Sequence, residues 1–250
     1  MACRHWINDM VIVGNQWFKF KQFNIRQDRC AMKVGTDGVI LGAWASVPGH
    51  GRVLDVGTGT GLLSLMLAQR SKGIDILAVE LDKGAAVQAA ENVAKSKFRD
   101  RIVVHQGNFL DVVTGMDKAF NMVICNPPFF VDSYKPGIRQ RSIARHVEEL
   151  TFENLMAKAG LVLTREGVLS LIVPIGQEQK AVHIALQHGM HLTRALSVVP
   201  APGKFAKRSC LEFAFARKET IRNELVIEQG GRHQYSEAYI TLTGDFYLGF

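Results

Sequence analysis

Val53-Leu54-Asp55-Val56-Gly57-Thr58-Gly59-Thr60-Gly61 decides the fold. Its first residues surround a single acid with apolar side chains, the composition of a short buried strand. Glycines at 57, 59 and 61 then let the chain turn tightly and bring bare backbone against a ligand. Leu62 to Ala68 is almost wholly apolar and predicts a helix packed on a sheet. In open α/β sheets, ligands bind beyond the carboxyl ends of such strands, where the chain order reverses. The spacing is G-x-G-x-G rather than the dinucleotide G-x-G-x-x-G. No Gly-Lys-Ser or Gly-Lys-Thr follows, which argues against a nucleotide triphosphatase.

Working outward, further strands are expected at Ile74 to Glu80, Arg101 to His105, Phe120 to Cys125 and Gly167 to Val173. His191 to Val199 and Ser209 to Arg217 form a closing pair, joined by Pro200 to Arg208. Helices are expected at Lys83 to Lys97, Glu148 to Leu163 and Glu178 to Gln187. Strands alternating with helices predict an α/β fold, a mostly parallel seven-stranded sheet covered on both faces. Residues 51–250 form one domain, and residues 1–50 an N-terminal extension packed on it. Within the extension, Trp17 to Phe23 alternates aromatic and polar residues, as a half-exposed strand does.

The chain of 250 residues, 47% hydrophobic, has enough apolar content for a substantial core. No apolar run reaches the roughly 18–20 residues needed to span a bilayer. Residues 1–15 carry no apolar signal segment, so cytoplasmic residence is expected. Cys3, Cys30, Cys125 and Cys210 form no C-x-x-C pair, so free thiols are expected and no structural metal. Lys and Arg number 30 against 23 acids, a net charge of +7, which favours a polyanionic partner such as RNA or DNA.

Three strand ends carry candidate ligand-binding groups. Glu80 can accept two hydrogen bonds from a ribose diol. Asn108 can read an adenine amino group, and Phe109 either contacts the ring or belongs to the core. Asp55 either meets an ammonium group or organises the glycine loop. The fourth strand opens into Ile124-Cys125-Asn126-Pro127-Pro128-Phe129. An aromatic NH2 is a poor nucleophile because its lone pair is delocalised. Hydrogen bonds from it to the Asn126 amide oxygen and the Pro127 carbonyl favour a tetrahedral nitrogen. Phe129 would stack on the base and aim that nitrogen, with Pro128 stiffening the loop. Together the two loops suggest transfer of a methyl group from S-adenosylmethionine to a nitrogen.

These residues resemble class I S-adenosylmethionine-dependent methyltransferases of the Asn-Pro-Pro-aromatic branch, over Arg52 to Arg217. Arg29-Cys-Ala-Met-Lys-Val-Gly-Thr-Asp-Gly-Val-Ile-Leu-Gly-Ala-Trp44 and Tyr235 to Tyr247 are similar to bacterial tRNA1(Val) (adenine-37-N6)-methyltransferases. The resemblance implies methylation of the adenosine 3′ of the anticodon, with a tRNA partner. It also implies that Lys33, Thr36 and Asp37 line the cofactor side of the pocket. Asn108 departs from the aspartate common at this strand end in the wider superfamily. Lys135, Arg139, Arg141, Arg145 and His146, with Lys204, Lys207 and Arg208, are candidate RNA contacts; the plainer reading is a solvated charge run. Other readings are a ribosomal-RNA guanine-N2 or protein glutamine-N5 methyltransferase, or an RNA-binding module with a relic cofactor pocket.

Overall fold

The computed structural model describes residues 16–30, 32–127 and 150–250. Its main sheet has eight strands in the order β10-β8-β9-β7-β6-β3-β4-β5. The inner strands are β3 (His50–Val56), β4 (Gly73–Glu80), β5 (Ile102–Gln106), β6 (Phe120–Cys125) and β7 (Leu163–Pro174), all mutually parallel. β9 (Arg208–Ala214) runs antiparallel between β7 and β8 (His191–Val199), the closing pair expected from the sequence. The eighth strand, β10 (Ile221–Val226), was not anticipated and pairs parallel with β8. Four of its six residues are exposed, so it lacks the apolar run that marks the inner strands.

Period-two alternation sends neighbouring side chains to opposite faces of this sheet. Val53, Met122 and Ile124 join the core under α1 (Thr36–Trp44) and α2 (Leu62–Arg70). Leu54, Val123 and Leu171 join the core under α5 (Phe152–Val162) and α6 (Glu178–Gln187), which follow α3 (Lys83–Ala94) and the short α4 (Phe109–Val112). Asp82 caps α3 by accepting from Ala85 N at 2.8 Å, and Thr151 caps α5 by accepting from Asn154 N at 3.1 Å.

Trp17 to Phe23 is not one strand. β1 (Trp17–Lys19) and β2 (Asn24–Arg26) form an antiparallel hairpin that turns between Phe20 and Phe23, both buried. Trp17 is exposed and Phe18 half-buried, so the aromatic residues that reach the core are those flanking the turn. The hairpin is tied to the main domain by Asn92, whose Oδ1 accepts from Arg26 N and whose Nδ2 donates to Arg26 O and Thr60 O, each at 2.9 Å. Its outer side meets the C-terminal segment after α7 (Glu237–Thr243). Phe20 bridges to Tyr247, and Lys21 Nζ donates to Gly244 O and Phe250 O at 2.6 and 2.9 Å. Among the described residues, no helix is long and apolar enough to cross a membrane.

Candidate active site

Strand register builds the site. Val56 of β3 pairs with Val79 of β4 and with Cys125 of β6, while Glu80 pairs with Gln106 of β5. Gly57, Leu81, Gly107 and Asn126 therefore leave the sheet along one carboxyl edge. The order reverses between β3 and β6, where a ligand crevice is expected in an open α/β sheet.

The glycine loop has the backbone anticipated for it. Gly57, Gly59 and Gly61 have φ of +68°, +58° and +84°, a region closed to most L side chains. A Cβ added at Gly57 or Gly59 would meet nothing nearer than 4.0 Å, so the space in front of the loop is open. Glu80 fastens the loop: Oε2 accepts from Gly59 N at 2.8 Å and Oε1 from Asp82 N at 3.0 Å. A carboxylate offers about four acceptor positions, so a pair of hydroxyls can share these oxygens.

Asp55 lies wholly buried beneath the loop. Its Oδ2 accepts from Thr58 Oγ1 and Ser64 Oγ, each at 2.6 Å, and from Ser64 N at 3.2 Å. Its Oδ1 is shielded from solvent and has no hydrogen-bond partner among the described residues. Burial pushes the Asp55 pKa up to about 6, and the nearby Glu80 charge adds to the rise, while the Ser64 and Thr58 hydrogen bonds oppose it. Through Oδ2, Asp55 thus organises the glycine loop. The sequence reading missed Thr58 and Ser64. The available signal was Ser64 itself, a hydroxyl inside an otherwise apolar helix.

Asn108 and Phe109 line a small hollow beside the loop, with Val56, Gly57, Leu81 and Leu150. Asn108 Oδ1 accepts from Leu110 N at 2.9 Å and so caps α4, and Phe109 is buried. Lys33 is exposed. Thr36 and Asp37 begin α1 and line a different, larger cleft together with Lys207 and Arg208. Thr36 and Asp37 thus line this cleft and not the hollow beside the glycine loop. A Cβ added at Gly38 would lie 3.7 Å from Asn126 Nδ2, so the first turn of α1 abuts that amide.

Asn126 is half-buried and Pro127 buried. Asn126 Oδ1 is shielded from solvent and has no hydrogen-bond partner among the described residues. Pro128, Phe129, Lys135, Arg139, Arg141, Arg145 and His146 lie outside the described residues. Lys204 and Lys207 are exposed, whereas the half-buried Arg208 donates from Nε to Asp37 Oδ2 at 2.7 Å. Cys30 is partly exposed, and Cys125 and Cys210 are buried free thiols. No group of three or more His, Cys, Asp or Glu side chains suited to a metal occurs among the described residues.

This fold and carboxyl edge are those of a methyltransferase. The family model "Methyltransferase small domain" matches residues 40–196. A predicted O-methyltransferase from Agrobacterium tumefaciens superposes with a TM-score of 0.64 at 20% identity, covering 84% of this chain and 96% of that one. A putative RNA methyltransferase from Pyrococcus horikoshii gives 0.51 at 21% identity, covering 70% and 79%. Sequence relatives are nearer. A tRNA1(Val) (adenine(37)-N6)-methyltransferase of Bacteroides thetaiotaomicron is 46% identical over 94% of this chain and 99% of the relative. One of the same name from Trichodesmium erythraeum is 42% identical over 95% and 99%. The chain belongs to the tRNA1(Val) (adenine(37)-N6)-methyltransferase family.

Proposed function

We propose that this protein transfers a methyl group from S-adenosylmethionine to the exocyclic N6 of adenosine 37 in tRNA1(Val), the substrate in its relatives' names. The observation that carries the chemistry is Asn126 Oδ1, a shielded acceptor with no donor among the described residues, one strand away from the glycine loop. A buried unpaired acceptor costs about 1–3 kcal/mol, a cost removed when a substrate NH2 donates to it.

When bound, S-adenosylmethionine supplies an electrophilic methyl group. The open backbone of Gly57 and Gly59 would give its methionine part room, and Asp55 beneath the loop would favour the ammonium by its charge. Glu80 takes the ribose hydroxyls. Asn108 and Phe109 flank the adenine in the hollow. Thr36 and Asp37 line the larger cleft and Lys33 is exposed, so none of the three belongs to the hollow that would take the adenine. On the acceptor side, Asn126 Oδ1 and the Pro127 carbonyl accept from the target NH2, localising the nitrogen lone pair. Of the rest of the motif, Pro128 and Phe129, the aromatic residue would stack on the base. These residues work by positioning and fixed polarity, and the proton leaves to water after transfer. Reaching the site requires an unstacked base, which is least costly in a single-stranded loop.

The candidate RNA contacts are Lys204, Lys207 and Arg208 together with Lys135, Arg139, Arg141 and Arg145. Residence in the cytoplasm, beside tRNA, goes with this reading. The test is incubation with labelled methyl donor and unmodified bulk tRNA, followed by nucleoside analysis. N6-methyladenosine in a valine isoacceptor is the expected product. Label in ribosomal RNA as N2-methylguanosine, or in a protein glutamine, would replace this reading. No cofactor binding in titration calorimetry would reduce the chain to an RNA-binding module.

A further inference from the structure

The site above leaves unexplained a cleft of about 900 Å³ at the same carboxyl edge as Asn126. That volume is in the range of sites that engulf whole ligands. One wall is the start of α1, with Thr36 and Asp37. The opposite wall is aromatic: Phe18 from β1, then Tyr235, Tyr247 and Phe250 from the C-terminal segment, all only partly buried. Tyr235 and Tyr247 both meet Phe250 edge-on, with ring centroids 5.1 and 5.3 Å apart. The floor is the edge where β8 ends and β9 begins, since Pro174, Arg208 and Val198 stand in one row.

Charge at this cleft is positive at the rim. Lys19 and Lys207 line it, and neither has a carboxylate partner among the described residues. The two acids that line it are engaged: Asp37 with Arg208 Nε, and Glu228 Oε1 with His233 N at 2.8 Å. Between Pro200 and Lys207, both of which line the cleft, the chain forms a projecting loop. Its base is held by Lys207 N donating to Val198 O at 2.9 Å and Ile175 N donating to Lys207 O at 3.1 Å. Within it Phe205 is 90% exposed, the most exposed large apolar side chain described, between Lys204 and the cleft-lining Lys207. A bare aromatic ring between two cations, in a loop whose ends line a cleft with an aromatic wall, matches single-stranded nucleic acid, whose bases offer π faces and whose backbone offers phosphates.

We infer that this cleft and the Phe205 loop bind the unstacked nucleotides that flank the methylated base. Phe205 and the Tyr235–Phe250 cluster are the stacking surfaces, and Lys207 and Lys19 meet phosphates. This rests on the RNA-methylating reading above and adds to it a footprint on the far side of α1 from the glycine loop. The first turn of α1 joins the two places, since its Gly38 abuts Asn126 while its Thr36 and Asp37 line the cleft, so a strand seated there runs toward Asn126.

The exposed ring makes the test clean, since Phe205→Ala removes nothing from the core. Phe205→Ala is expected to weaken binding of an anticodon stem-loop by about fivefold or more. Cofactor affinity and thermal midpoint should stay unchanged, and turnover at saturating RNA should stay within about threefold. Lys207→Ala should lower the slope of log affinity against log salt by about 0.7, one single-strand phosphate contact. As a direct readout, 4-thiouridine placed beside the target base should cross-link to the peptides holding Phe205 or Tyr247. If the wild-type protein methylates the stem-loop while Phe205→Ala binds it equally well and cross-links map elsewhere, this inference alone is overturned. If the wild-type protein neither binds nor methylates any RNA, the functional reading falls with it.

Discussion

Arg208 Nε donates to Asp37 Oδ2 at 2.7 Å, joining the first residue of β9 to the first turn of α1 across 171 positions of sequence. Both side chains are about a quarter exposed, at 28% and 25%, so the pair is neither fully solvated nor dry. Such a pair contributes about 1 kcal/mol or less. Its larger effect is geometric, because it ties the start of β9 to the turn of α1 that abuts Asn126. In a double-mutant cycle with Asp37→Asn and Arg208→Ala, denaturant unfolding should give a coupling of about 0.5–1 kcal/mol. Each single variant should raise KM for tRNA more than it lowers cofactor affinity.

Asn126→Ala should lower turnover by about 100-fold or more, because the acceptor nitrogen loses its positioned oxygen. Cofactor affinity should stay within about tenfold of wild type. Stability should hold or rise by about 1 kcal/mol, since the residue's Oδ1 has no hydrogen-bond partner among the described residues. Calorimetry, single-turnover kinetics and denaturant melts on one preparation check all three. Wild-type turnover would remove Asn126 from the chemistry.

Asp55 sets a pH dependence of defined sign. Its folded-state pKa, pushed up to about 6, lies above the ordinary 3.8. Its contribution to stability is therefore complete below about pH 4 and is lost as pH rises through about 6, where a buried group must carry charge. The loss is on the order of 3 kcal/mol in the cofactor-free protein. Asp55→Asn keeps an acceptor for Thr58 and Ser64 and removes the titration. The difference in unfolding free energy between the two proteins should grow in favour of Asn from pH 4 to pH 7. Cofactor affinity should behave oppositely, tightening over that range in the wild type as the carboxylate ionises, and staying flat and weaker in the variant.

Glu80→Gln should weaken cofactor binding by about tenfold or more, with little change in tRNA affinity. An amide nitrogen cannot accept, so either Gly59 N or Asp82 N loses its partner. Calorimetric titration with the cofactor checks it.

Glu212 tests the scaffold away from the site. It is buried, and its carboxylate accepts from Ser46 N, Ser170 Oγ and Arg194 Nη1 at 2.6, 2.9 and 2.7 Å. Glu212→Ala orphans these donors and should cost about 3 kcal/mol, lowering the melting temperature by roughly 6–12 °C. Glu212→Gln should recover part of that loss.

The chain order alone determined the elements around the glycine loop and the two ligand-facing strand ends. Buried parallel strands demand unbroken apolar runs, and a loop with positive φ demands glycine, so both leave marks in a single sequence. The hydrogen bonding of Asp55, the seating of Thr36 and Asp37 in the larger cleft, the turn inside Trp17 to Phe23 and the exposed strand β10 appeared only in three dimensions. Each depends on partners far along the chain: Asp37 on Arg208, Arg26 on Asn92, Phe20 on Tyr247, β10 on β8. Local composition records what a residue must avoid, such as water or a Cβ clash. Which distant group it finally meets is decided by the register of the folded sheet.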